Sequence, residues 1–255
     1  MYKRQHVPHE ALPADKALYS KFSEAEQNYF GEITAVDRNV GRVRAALRES
    51  NVAANTLLWY CSDNGGHEGP KSTGHLRGEK GTLWEGGLRV PGIVEWPARI
   101  TKPAVSEMPC CTFDMYQTIL AATGAKAENQ IQPLDGINLL PLIDGKMTER
   151  GKAMPFWNNA GRPQGPSALL DWPYKLHLNP ADRRQKNSGE LPTVLLFDLS
   201  KDPKETTDIA AQQPERVKKM TAELEAWKAS VQKSLAGEDY GQPLEPGPKK
   251  MKKAA

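Results

Sequence analysis

Asp63-Asn64 puts a carboxylate and a carboxamide side by side, immediately after the apolar run Thr56–Cys61. Two hard oxygens of this kind suit Ca²⁺ or Mg²⁺. The plainer alternative is a turn, because Asn-Gly is common in hairpins and Gly65 follows. Lys80 lies in Arg77-Gly78-Glu79-Lys80-Gly81-Thr82, between glycines that let a backbone approach an anion closely. A compact ammonium there suits a sulfate or phosphate oxygen and can stabilise charge on a leaving group. A solvated loop lysine is the bland alternative. His9, in His6-Val7-Pro8-His9, could donate to an anionic group or act as a general acid, or could be an ordinary exposed histidine. His67 and His75 share the glycine-rich stretch and are weaker candidates for the same cleft.

An attacking group is harder to find. Ser62 has no Gly-x-Ser-x-Gly setting, and no Gly-x-x-x-x-Gly-Lys-Ser/Thr loop is present. The three cysteines, Cys61, Cys110 and Cys111, form neither a disulfide framework nor a cysteine zinc site. The chain offers cation and anion handles without a nucleophile.

These handles need a scaffold. Ser23 and Glu26 read as a capping box, followed by an apolar stripe at Phe30, Ile33, Val36, Val40, Val43 and Leu47. Asp37, Arg38, Arg42, Arg44 and Arg48 mostly face away from the stripe and read as solvated. Thr56–Cys61 reads as a buried strand of the kind found in parallel sheets. In open α/β sheets ligands gather at the carboxyl ends of strands, where Asp63-Asn64 lies. Leu88 to Trp96 reads as another strand, interrupted by Pro91. Thr112–Thr123 is expected to be a helix ended by Gly124. Past residue 150 the pattern becomes short strands at Ala168–Leu170, Tyr174–Leu178 and Val194–Leu199, with Asp171-Trp172-Pro173 as a turn. A helix starting at Pro214 carries Val217, Met220, Leu224, Trp227 and Val231.

With 255 residues, a net charge of +3 and 38% hydrophobic residues, the chain is long enough to bury a core. No apolar run approaches the roughly 20 residues of a membrane-spanning helix. Lys249, Lys250, Lys252 and Lys253 account for the basic balance; without them the net charge is −1. No nucleic-acid-binding face is expected, because Lys and Arg are not clustered on structured elements. The expected division is 1–150 for an α/β body, 151–236 for a small α+β subdomain and 237–255 for a disordered basic tail.

Taken together, the chain resembles the sulfatase family, within the alkaline-phosphatase-like superfamily. The resemblance rests on Pro8-His9, Ile33-Thr34-Ala35-Val36-Asp37, Val40-Gly41-Arg42, Ser62-Asp63-Asn64-Gly65, Arg77–Thr82, Glu85–Pro91 and Leu134-Asp135-Gly136. Leu196-Phe197-Asp198-Leu199 and Asp202-Pro203 with Glu205 resemble the family's C-terminal signature. It covers about residues 6–230, nearest in flavour to arylsulfatase or N-acetylgalactosamine-6-sulfatase. It implies a partial alkaline-phosphatase-like α/β sandwich with a small C-terminal antiparallel sheet plus helix. It implies hydrolysis of sulfate esters of a sugar or aryl alcohol. By resemblance, Asp63 and Asn64 match Ca²⁺ ligands, Lys80 matches the lysine on the sulfate, and His9 matches a histidine near the sulfate and leaving oxygen.

The family's formylglycine arises in a Cys-x-Pro-x-Arg motif that this sequence lacks, as it lacks the N-terminal Asp-Asp pair. The chain therefore resembles the C-terminal part of a sulfatase. It is expected to be inactive alone, with an incomplete Ca²⁺ site and a missing N-terminal half as a candidate partner. A sulfatase of this kind is expected to be periplasmic, secreted or lysosomal. The alternatives are a phosphodiester or phosphonate hydrolase of the same superfamily, and a non-catalytic, partner-binding remnant.

Overall fold

Two antiparallel sheets, one of two strands and one of four, carry the chain in a computed structural model that describes residues 10–66, 72–127, 130, 132–157, 165–181 and 191–240. His9, His67 and residues 241–255 of the expected tail lie outside the described residues.

Helix α1 (Pro13–Ala17) precedes the long helix α2 (Glu24–Glu49). The expected capping box starts α2: Ser23 Oγ accepts the Glu26 N–H, and the Glu26 carboxylate accepts the Ser23 N–H at 3.1 Å. Its apolar stripe is only half covered, with Ile33 and Val43 each 48% exposed. Two arginines expected to be solvated are exposed and also paired. Arg38 holds the buried Asp15 carboxylate of α1, and Arg44 forks onto Glu95 at 2.6 and 3.1 Å. A guanidinium on a long stem reaches neighbouring elements that a stripe analysis ignores.

Strand β1 (Leu58–Cys61) pairs antiparallel with β2 (Gly92–Glu95), so the expected buried parallel strand needs correction. Tyr60 sits opposite Ile93, at 40% and 60% exposure. A continuous apolar run suits a strand covered on both faces, and the described residues do not supply that cover. The expected strand from Leu88 shrinks as well. Glu85–Leu88 forms one helical turn, α3, and pairing starts only after Pro91, which lacks an N–H for the ladder.

Helix α4 (Asp114–Thr123) ends as expected at Gly124, whose φ is +71°. Leu140–Ile143 forms the short helix α5. At the start of α4 the buried Asp114 accepts the N–H groups of Cys111 and Ile137 and both guanidinium nitrogens of Arg150, at 2.7–2.9 Å. These four donors compensate the cost of burying the carboxylate.

The second sheet runs β3 (Met154–Trp157), β4 (Ser167–Asp171), β5 (Tyr174–Leu178) and β6 (Val194–Asp198), in that order. The strands anticipated near β4, β5 and β6 are present; β3, with Pro155 at its centre, was not anticipated. Leu169, Leu176 and Leu196 line up across the sheet beneath helix α6 (Pro214–Leu235), against Met220 and Leu224. Each such side chain contributes about 1.5–3 kcal/mol of gross burial free energy. The opposite face aligns Leu170, Lys175 and Phe197, with His177 beside Leu195. That face packs on Trp84, from the segment that carries Lys80. Trp227 of α6 also donates its indole N–H to Asp135 at 2.9 Å, so the Leu134-Asp135-Gly136 turn is tied to the same helix.

Candidate functional site

The turn after β1 places Asp63 exposed and Asn64 half-buried, with the Ser62 hydroxyl donating to the Asn64 carbonyl at 2.8 Å. The next two residues join this turn to the lysine loop. Gly65 N–H donates to the Gly87 carbonyl, and Lys80 N–H donates to the Gly66 carbonyl, each at 2.8 Å. A side chain at Gly65 has no room, since its Cβ would overlap the Gly86 carbonyl. The close approach that the glycines imply is therefore an approach of two loops to each other.

The lysine loop is closed on itself. Gly86 N–H donates to the Arg77 carbonyl at 2.7 Å, and Thr82 donates both its N–H and its hydroxyl to the Glu79 carbonyl. Gly78 takes a φ of +77°, which a residue with a Cβ adopts only at a cost. Lys80 is exposed at the tip, while Glu79, Thr82, Trp84 and Glu85 are buried. The ammonium thus stands on a hydrogen-bonded base. Such preorganisation lets a charge engage an anion without first ordering its own support.

Beneath the loop lies a buried charged network. Lys175 Nζ is 2.8 Å from Glu85 Oε1 and 3.1 Å from Glu205 Oε1, and His177 Nε2 is 2.7 Å from the same Glu205 oxygen. Burial pushes the His177 imidazole down to about 4, against the upward pull of Glu205, so His177 is neutral near pH 7 and donates Nε2–H. Burial pushes the Glu205 carboxyl up, but the Lys175 ammonium and the His177 hydrogen bond outweigh it and hold the group below its ordinary value. Arg77 lies 3.7 Å over the Trp84 ring, and Trp84 stands 4.4 Å from the His177 ring.

No cysteine among the three is prepared for attack. Desolvation, with Asp114 nearby, pushes the Cys110 thiol up to about 11; burial also raises Cys111 and Cys61. A raised thiol is nearly all protonated at neutral pH and is a poor nucleophile.

Asp63 and Asn64 have the hard-oxygen chemistry Ca²⁺ prefers, but two side chains do not satisfy an ion that takes six to eight oxygens. No group of three His, Cys, Asp or Glu residues among the described residues could hold a metal ion. The donor set present here does not by itself fit a resident Ca²⁺.

The structure therefore joins the segments bearing Asp63, Asn64 and Lys80. His75 is exposed on the same stretch. Arg77 and Glu85 stand in the motifs around Lys80 with no role of their own assigned from sequence, and Lys175 and His177 stand only within a strand. Lys175 and His177 alternate with Leu176 and Leu178, which reads as an ordinary solvent face of a strand. The one available signal was Glu205, within the C-terminal signature.

Known proteins agree on what this arrangement is similar to. The family model described as Sulfatase matches residues 1–125. A sulfatase of Formosa agariphila is 32% identical over 235 residues, which is 84% of this chain and 41% of that protein. The N-acetylgalactosamine-6-sulfatase of Sus scrofa is 34% identical over 128 residues, 48% of this chain and 24% of that one. The crystal structure of Ps i-CgsB in complex with k-i-k-neocarrahexaose superposes with a TM-score of 0.74 and 29% identity, over 89% of this chain and 48% of that chain. The chain spans about half, or less, of the length of these relatives.

Proposed function

Since the chain belongs to the sulfatase family, with its alkaline-phosphatase-like α/β fold, we propose that it carries the cation and anion handles of a sulfuric ester hydrolase acting on sulfated carbohydrates. In this reading Lys80 binds a sulfate oxygen and holds the group in place. His9 donates a proton to the leaving alcohol oxygen as the S–O bond breaks. Asp63 and Asn64 supply two oxygen ligands toward a Ca²⁺ site that other residues must complete. The net reaction adds water to the ester and releases alcohol and sulfate.

The observation that supports this reading is the pair of backbone hydrogen bonds, Gly65 to Gly87 and Lys80 to Gly66, which join the segment after Asp63-Asn64 to the loop that carries Lys80. Sulfated sugar is the favoured substrate class because the similar proteins include an N-acetylgalactosamine-6-sulfatase and a structure holding D-glucosamine-2-N,6-O-disulfate. The 255 residues contain no Cys-x-Pro-x-Arg sequence, so this chain alone binds without turnover.

The test is an NMR titration of the 255-residue chain with N-acetylgalactosamine 6-sulfate and with the unsulfated sugar. The sulfated sugar is expected to shift the Lys80 and Gly66 amides, and the parent sugar to leave them in place. Equal responses to both sugars, or none, would contradict the proposal.

A further inference from the structure

The sequence singles out Asp202-Pro203 and Glu205, and neither handle uses them. The structure gives Glu205 a defined task. Asp202 fixes the turn after β6, accepting the N–H groups of Thr206 and Thr207, each at 2.8 Å. Glu205 donates its own N–H to the Asp202 carbonyl at 3.1 Å and takes a φ of +54°. This left-handed conformation is costly for a residue with a Cβ, so the surrounding structure must hold it. The turn sends the Glu205 side chain inward, where it is fully buried.

There Glu205 grips both ends of the lysine loop. Its Oε2 accepts the Glu85 N–H at 2.6 Å, and its carbonyl accepts Arg77 Nη1 at 3.0 Å. Residues 77 and 85 flank Lys80, and the Gly86–Arg77 backbone bond closes the loop between them. Oε1 meets Lys175 and His177 on β5, which fastens the grip to the four-stranded sheet. Lys175 lies against both Glu85 and Glu205, so the buried carboxylates face a positive partner.

We propose that Glu205 is a positioning residue for Lys80, acting through the Glu85 N–H and the Arg77 guanidinium to set the place of the loop that presents the ammonium. The consequence for sulfate rests on the function proposed above; the grip itself does not.

Amide hydrogen exchange and sulfate titration of the 255-residue chain test this together. In Glu205→Ala the amides of Lys80, Glu85 and Gly86 are expected to exchange about tenfold faster or more, while those of Leu169 and Leu176 hold their rates. The shift of the Lys80 amide on adding inorganic sulfate is expected to disappear. Glu205→Gln keeps an oxygen for the Glu85 N–H and is expected to restore both signals, although it loses the charge facing Lys175. Should Glu205→Ala not fold, Arg77→Ala releases the loop from its own side and is expected to give the same pattern. Unchanged loop exchange, equal acceleration of loop and sheet, or Glu205→Gln behaving as Glu205→Ala would each overturn the proposal. A loop released as expected, in a chain whose Lys80 never responds to sulfate, would leave the positioning role standing and remove the sulfate reading.

Discussion

The Lys80 backbone N–H donates to the Gly66 carbonyl at 2.8 Å, two residues beyond Asn64. The loop presenting an ammonium and the turn presenting two hard oxygens are therefore one joined unit.

Gly65 is the tightest point of that joint, and Gly65→Ala is expected to pry it apart. The new Cβ would overlap backbone of Gly86 and Gly87, which cannot move as a flexible side chain can. A loss of about 1–3 kcal/mol, typical of overpacking, is expected in urea denaturation, with loss of the Lys80 response to sulfate. A full-strength response in Gly65→Ala would show that the joint is dispensable.

Lys80→Ala should behave in the opposite way. The side chain is exposed, so stability is expected to stay within about 0.5 kcal/mol of the parent chain. Sulfate binding, followed at the Gly66 amide, is expected to vanish. Retained binding would assign the anion handle to another group.

How much of this was legible beforehand depends on the range of the interaction. Local signals read well. The Ser23–Glu26 capping box, the Gly124 helix stop and the strands near β4, β5 and β6 follow from side chains acting on backbone a few residues away. Long-range burial did not read. Lys175 and His177 occupy alternate positions that look solvent-facing, and Trp84, Glu85 and Glu205, distant in sequence, cover them. Arg38 and Arg44 are exposed as expected, but their pairing did not read, since their partners Asp15 and Glu95 lie on other elements. For the candidate site, Asp63, Asn64 and Lys80 stand out by residue type and the structure joins the segments that carry them, whereas the apparatus beneath them advertises packing.

Arg150 and Asp114 form a buried, two-pronged ion pair that ties residue 150 to the start of α4. Arg150→Met leaves the Asp114 carboxylate buried with only its two backbone donors, Cys111 and Ile137. A cost of about 3–5 kcal/mol is expected, measured by chemical denaturation. Replacing both partners together is expected to cost less than Arg150→Met alone; a larger cost for the double variant would refute this account of the pair.

Acid should loosen the Glu205 network. The His177 value falls from 6.5 to about 4 on folding, so between these values the unfolded chain binds more protons than the native one. Stability is therefore fully present above pH 6.5 and lost as pH falls toward 4, on the order of 3 kcal/mol from this group. Glu205, also held below its ordinary value, loses its contribution in the same direction. The groups facing His177 are Glu205, Lys175 and Arg77. Urea midpoints at pH 7, 5.5 and 4.5 are expected to fall steeply in the parent chain and less in His177→Gln, which does not titrate. Parallel curves for the two would contradict the assignment.

The most direct test of a shared rim is paramagnetic. Mn²⁺ stands in for Ca²⁺ as a hard cation, and NMR relaxation reports which nuclei lie near it. Two oxygens alone hold such an ion only weakly, so Mn²⁺ is added in excess to the 255-residue chain; it is expected to broaden the amides of Asn64, Gly65 and Gly66 together with the Lys80 side-chain signals through this transient contact, and Asp63→Ala is expected to abolish that pattern. Broadening that spares Lys80 while reaching Asp63, or that persists unchanged in Asp63→Ala, would separate the cation handle from the anion handle and contradict the single site.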